Sequence, residues 1–261
     1  MSQASTTNSP AGRGKLIAAG WALLCVALLL GGCASKDGEL EGVNNAEKAY
    51  EDAQKAMNSM NYRRAIQLFQ AIQSYYPFSD TSKQVQLDLM YAFYKSGLRE
   101  EAIDAADQFL RENPTHSRVD YAIYIKALAN FDEESGALER LFNKPIDSRP
   151  PIQARESFSL FNRLIQQYPA SAYAEDSHQR MIYLKNRLAR YENFVGRFYL
   201  DNGAYIAAAN RARTALEEYN GADSTQESLE ILIEAYDKLG MTELATDARR
   251  VLVENFPGSG S

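Results

Sequence analysis

An all-α fold, a right-handed solenoid of about five helix pairs, is predicted by three observations. A small residue recurs twelve positions before a proline: Ala65 before Pro77, Ala102 before Pro114, Ser157 before Pro169 and Ala245 before Pro257. Apolar residues in these segments return at helical spacing, as in Ala65, Phe69, Ile72 and Tyr76. No convincing strand run appears. Self-similarity at such a period marks supersecondary units that bury a shared core by stacking.

Composition narrows the function classes. The chain has 261 residues, 45% hydrophobic and 24% charged, which is ordinary for a globular protein. A net charge of −6 argues against a binder that works by neutralising nucleic-acid phosphates. Two Cys and two His leave no disulfide framework and almost no room for a His/Cys metal site.

In chain order, residues 1–15 are polar with two cations, Arg13 and Lys15, and an apolar run follows from Leu16 to Leu30. Spanning a bilayer takes roughly 20 residues, so this shorter run reads as a secretory signal peptide. It ends in Leu30-Gly31-Gly32-Cys33, which resembles the bacterial lipobox. That resemblance implies a signal peptide over 1–32, cleavage before Cys33, and N-acyl (palmitate) and S-diacylglycerol lipid on Cys33. Ala34, where an Asp retains such proteins at the inner membrane, implies the outer membrane, with the body facing the periplasm. Cleavage would remove Cys25 and the single Trp, Trp21, and loss of Arg13 and Lys15 takes the net charge from −6 to −8.

Residues 33–45 are polar and turn-rich and read as a flexible tether to the membrane's inner leaflet. Fully extended, they reach at most about 40 Å. The folded body is expected to hang near the membrane without entering it.

The repeat domain is expected over 46–261. Its first three copies begin at Tyr62, Arg99 and Ala154, and weaker copies begin at Tyr205 and Thr242. Ala65 to Ala102 and Ala208 to Ala245 are both 37 residues apart. Ser157 breaks the period and calls for insertions of 18 and 14 residues around the third unit. A partner helix precedes each copy, shown by Val85, Leu89, Ala92 and Phe93 on one face. Gly97 and Gly240 fall between paired helices, where a left-handed residue closes the first. The prolines stop the second helices.

The small residue, the aromatic one turn later (Phe69, Phe161) and the closing proline resemble the tetratricopeptide repeat, although its early Trp is absent and this period is three residues longer. The mature chain as a whole resembles the assembly-factor lipoproteins of the machinery that folds β-barrels into the bacterial outer membrane. Gln84 to Tyr91, Asn113 to His116 with Asp120-Tyr121, Arg187 to Glu192, and an insertion at Asp132–Pro151 carry that likeness. It implies no catalytic activity. It also implies that repeats over 46–170 bind unfolded β-barrel substrates and that repeats over 171–261 dock on the periplasmic domains of BamA. In some lineages BamC and BamE join. A competing reading is a periplasmic repeat lipoprotein that scaffolds cell-wall hydrolases or division proteins.

No nucleophile, phosphate-loop or zinc motif is present. His116 and His178 each lack a neighbouring Cys or second His and read as surface or packing residues, so no catalytic residue, metal or cofactor is expected. Aromatics are dense in the first two units. Most read as core, but Tyr62, Tyr91 and Tyr94 are candidates for a substrate-peptide groove, since Tyr joins an apolar body to a polar tip. Gln84, Gln86 and Asp88 are candidate partners for the peptide's backbone.

From Arg180 to Arg213 there are seven cations against two acids. On one continuous helix Arg180, Arg187, Arg190 and Arg197 would share an arc of about 100°. This stripe suits an acidic protein surface or lipid headgroups, and Arg187, Arg190 and Arg197 are candidate docking residues. Arg211 lies at the edge of the apolar stripe Tyr205, Ala208, Ala212, Leu216 and Tyr219. The family resemblance aligns Asn210-Arg211 with an Asn-Arg pair whose Arg meets a carboxylate on BamA. On this reading Arg211→Glu would weaken docking and leave melting unchanged.

Overall fold

The computed structural model describes residues 45–79, 81–134 and 148–258. The expected signal peptide, Cys33 and the expected tether up to residue 44 lie outside the described residues, as does most of the insertion expected at 132–151. Residues from Asn45 onward form one compact unit. Among the described residues there are ten helices and no strand.

The helices are α1 (Ala46–Asn58), α2 (Tyr62–Tyr75), α3 (Ser82–Ser96), α4 (Arg99–Glu112), α5 (Val119–Glu134), α6 (Ile152–Gln167), α7 (Ala174–Asp201), α8 (Tyr205–Glu218), α9 (Thr225–Lys238) and α10 (Thr242–Asn255). They make five hairpins, each a first helix (odd number) and a second helix (even number). Each helix packs on its chain neighbours. Successive first helices also meet directly, α3 on α5 and α7 on α9, which makes the first helices the inner layer of the stack.

Local chemistry sets the boundaries. The Asn45 side chain accepts from the Glu47 amide at 2.8 Å and opens α1, and Asn61 does the same for Arg64 at 3.2 Å in α2. Gly97, at φ 80°, closes α3 in the left-handed region that the sequence required there.

The recurring small residues all fall in the core, where a small side chain lets helices pack closely. Ala65, Ala102, Ser157, Ala208 and Ala245 are all fully buried. Ser157 substitutes for Ala because its hydroxyl donates to the Ala127 carbonyl at 2.9 Å. Phe69, Phe109 and Phe161 fill the space beside them with no exposure.

The two expected insertions differ in kind. α5 runs on to Glu134, into the insertion expected at 132–151. The second insertion is helical. α7 has 28 residues against 14 in α8, so the extra 14 residues extend a helix. Fourteen residues make about four turns, which keeps the same face in register. α7 thereby serves two cores, with Leu184 and Leu188 in one and Leu200 in the next. No helix among the described residues is long and apolar enough to cross a membrane.

Candidate interaction surfaces

The inner layer carries a row of polar-tipped aromatics. In α3, Gln84, Asp88 and Tyr91 recur at i, i+4 and i+7 and share a face. The Asp88 carboxylate accepts from the Tyr50 hydroxyl at 2.7 Å, from Gln54 Nε2 at 2.7 Å and from Gln84 Nε2 at 2.9 Å. Two residues of α1 and one turn of α3 thus converge on one acid. Burial pushes the Asp88 carboxyl above its usual range despite these donors. Burial, and then the bond to Asp88, push the Tyr50 hydroxyl up to about 12.

The row continues through α5 and α7. Tyr91 and Tyr94 pack beside Tyr121, Tyr124 and Tyr173 on the central core. The rings of Tyr124 and Tyr173 stack at 4.6 Å. Arg118 lies 4.7 Å over the Tyr121 ring and donates to the Tyr173 hydroxyl at 3.0 Å. The Tyr124 hydroxyl donates to Asp176 at 2.7 Å, and Arg180 Nε donates to the same carboxylate at 2.6 Å. Burial works to raise Asp176, but the Arg180 and Tyr124 bonds and the Arg180 charge outweigh it and hold the carboxyl low. The result is apolar ring surface edged by fixed donors and acceptors, which suits an extended chain with large side chains.

The structure does not bring all six groove candidates to this row. Gln84, Asp88 and Tyr91 are together, with Tyr94 less than a turn on. Gln86 points away, because two residues rotate a helix by about 200°. It donates to Glu112 at 3.0 Å and accepts from Asn113 at 3.3 Å, and it lines a cleft of about 270 Å³ with Gln70 and Asp104. Tyr62 opens α2, in the second-helix layer, half-buried. Sequence reasoning passed over Arg118, Tyr121, Tyr124 and Tyr173 as surface candidates, and it placed Arg180 in the basic stripe rather than in this row. Their signal was present: Tyr121 and Tyr124 repeat in α5 the spacing of Tyr91 and Tyr94.

The docking candidates need a larger correction. α7 is one continuous helix, as the stripe required, but the four arginines of the stripe are occupied. Arg187 is 1% exposed and donates to the Arg149 carbonyl at 3.2 Å, so it is a core residue. Arg190 pairs with Asp223 at 2.7 Å. Arg197 faces Glu227, Glu230 and Glu234 of α9 at 3.5, 3.6 and 3.5 Å. The one-sided charge is real along the chain and largely cancelled in space.

Arg211 is cancelled too. Its Nη1 lies 3.0 Å from Oε2 of Glu192, a fully buried carboxylate on α7. Arg155 of α6 holds the other oxygen of Glu192. One acid therefore ties α6, α7 and α8. Arg211 keeps 39% of its side chain exposed and Asn210 beside it is exposed, so the pair still presents a surface.

His116 accepts from the Arg118 amide at 3.1 Å and sets its ring edge against Phe109 at 5.3 Å; His178 is exposed. Among the described residues no group of three or more His, Cys, Asp or Glu is placed to hold a metal. On the last two repeats a mainly apolar groove of about 640 Å³ runs between Leu216, Leu232, Leu244 and Val251.

The YfiO family profile, described as an outer membrane lipoprotein, matches residues 43–252. The chain is 41% identical over 228 residues to the outer membrane protein assembly factor BamD of Neisseria meningitidis serogroup A, covering 87% of this chain and 85% of that one. It is 37% identical over 233 residues to the protein of the same name from Vibrio cholerae, covering 89% and 96%. Among solved structures, a thermophilic TPR protein of Thermus thermophilus aligns at 16% identity and a TM-score of 0.37, over 82% of this chain and 93% of that one.

Proposed function

Because the chain belongs to the YfiO family of outer membrane lipoproteins, we propose that it works without catalysis in the assembly of outer membrane β-barrels. The inner row of repeats one to three holds an unfolded barrel segment, and the last repeats dock on BamA. Lipid on Cys33 holds the protein to the outer membrane from its periplasmic side.

The observation that carries this reading is the inner row itself, from Tyr50 and Asp88 through Tyr91, Tyr121 and Tyr124 to Tyr173 and Arg180. Aromatic rings with fixed polar edges accept varied apolar side chains, while the acids, amides and Arg residues meet backbone groups. Such a surface trades tight complementarity for breadth, which a factor handling many unfolded clients needs. The exposed Asn210 and the open part of Arg211 supply the docking contact. The guanidinium has five N–H donors, so a partner's carboxylate can meet donors that Glu192 does not use.

Affinity capture of the lipidated protein from detergent-solubilised envelope, with mass spectrometry of the partners, tests this reading. Recovery of BamA is expected. Recovery of cell-wall hydrolases or division proteins in its place would overturn it.

A further inference from the structure

We propose that the loop after α2 is a second membrane contact, in which Tyr75 and Phe78 enter the interfacial layer of the bilayer that holds the lipid on Cys33. Phe78 is 97% exposed and Tyr75 63%, the former the most exposed large apolar side chain among the described residues. Two rings left in water three residues apart make a small apolar tip at the end of the first hairpin.

The hairpin topology says what meets it. α1 and α2 are joined by the short turn 59–61 and pack on each other, so they run antiparallel. The start of α1 and the end of α2 therefore share one end of the first repeat. Asn45, where the chain enters the fold, and Phe78 lie at that end. Asn45 lies twelve positions after Cys33, a reach of at most about 40 Å. An anchored lipid thus holds this end within reach of the headgroups.

Size argues for a bilayer over a protein partner. An aromatic side chain buries about 150–250 Å², and two fall short of the roughly 800 Å² per partner of a stable protein interface. Tethering changes the requirement, because an anchored chain meets the bilayer at a high effective concentration and a small apolar contact then suffices. Tyr rings favour the headgroup level, and Phe serves on the apolar face of segments that lie in the interface. A lipid and a second, weak apolar contact together would fix which end of the solenoid faces the membrane.

The test uses the lipidated chain in phosphatidylethanolamine–phosphatidylglycerol vesicles that carry a brominated-lipid quencher. Cleavage before Cys33 removes Trp21, so each variant carries a single Trp. Phe78→Trp puts that probe in the loop, and Ile206→Trp puts it away from the loop, at a site 64% exposed at the start of α8. The protein should float with the vesicles. Quencher should cut emission from the Phe78→Trp variant about twofold, as for a ring about 5–10 Å deep in the headgroup boundary, and leave the Ile206→Trp variant unchanged. Flotation with no quenching of the loop probe, or with equal quenching of both variants, would overturn the loop contact. Quenching that appears only after unfolded barrel protein is added would assign the loop to substrate instead, and also overturn it. Failure of the chain to float at all would remove the anchor at Cys33 on which the proposal rests, and so overturn it too. That leaves the capture of BamA from detergent as a separate question.

Discussion

Arg211 and Glu192 form an ion pair across the junction of α8 and α7, 3.0 Å apart, with the carboxylate fully buried and shared with Arg155. A buried charge left without its partner is costly, while the intact pair contributes little net stability. Glu192 is thus tolerable only while both arginines reach it. The contact gives Arg211 a structural role that is separate from the proposed docking.

Arg211→Glu should therefore destabilise the fold, which corrects the expectation of unchanged melting. Breaking a buried pair costs about 3–5 kcal/mol; Arg155 remains and Arg211 is partly exposed, so about 2 kcal/mol is expected. For a domain of this size that lowers the melting temperature by about 4–8 °C. Circular dichroism melts check it. If Arg211→Glu melts with the wild type, the Glu192 contact carries no stability. Any loss of BamA capture must then be compared with Arg211→Gln, which removes the charge without creating repulsion.

The recurring small residues set a second expectation. Ala102 and Ala208 have no exposed surface, so a larger side chain there must displace a neighbouring helix. Ala102→Leu should cost about 1–3 kcal/mol in urea unfolding. Leu98→Ala, at a site 41% exposed, should stay within about 0.5 kcal/mol. Equal effects at the two sites would mean that the alanine does not mark the close approach.

The repeat pattern was legible because it is local: one helix shows its buried face in consecutive residues. The 14-residue insertion was counted correctly, but a count does not say loop or helix, and four added turns keep the register of α7. Side-chain pairing was not legible. Glu192 draws its partners from α6 and α8, 37 residues before it and 19 after it. Grouping Gln86 with Asp88 failed for a reason that helix geometry contains, since they point apart on one helix.

That separation makes the groove testable. A photoreactive residue in place of Tyr91 should cross-link a barrel C-terminal peptide, and one in place of Gln86 should not. Competition by unlabelled peptide should remove the Tyr91 signal. Equal labelling at both positions, or by a scrambled peptide, would show that the inner row is not the site.

Tyrosines of the fold should set its alkaline limit. Tyr50, Tyr124 and Tyr219 are each raised from 10.0 to about 12, first by burial. A raised folded-state value means that the native state keeps its proton where the unfolded chain has lost it. Stability is then full below about pH 10 and falls as pH rises from about 10 to 12. The expected mature chain lacks Trp, so tyrosinate absorbance reads the titration directly. Tyr50→Phe should remove part of the high-pH titration and soften the loss of stability. An unchanged dependence of stability on pH would mean that Tyr50 ionises like a free tyrosine.

The last expectation concerns Arg197, which faces three carboxylates of α9 at 3.5 to 3.6 Å. Glu227, Glu230 and Glu234 stand at i, i+3 and i+7, so they present one acidic edge to one guanidinium. Each group is 39% to 50% exposed, and a single exposed pair is worth at most about 1 kcal/mol. The arrangement gains from sharing, since one ordered Arg serves three acids. Removing it leaves three like charges in a row. Arg197→Ala should lower stability most at low salt, where the Debye length is about 30 Å at 0.01 M, and much less at 1 M, where it is about 3 Å. Glu230→Gln in the same chain should recover part of the loss, because it thins the acidic edge. If Arg197 instead served an external acidic surface, Arg197→Ala would relieve unpaired positive charge and leave stability unchanged or raised at low salt. Denaturant unfolding of the two variants at the two salt concentrations separates these outcomes.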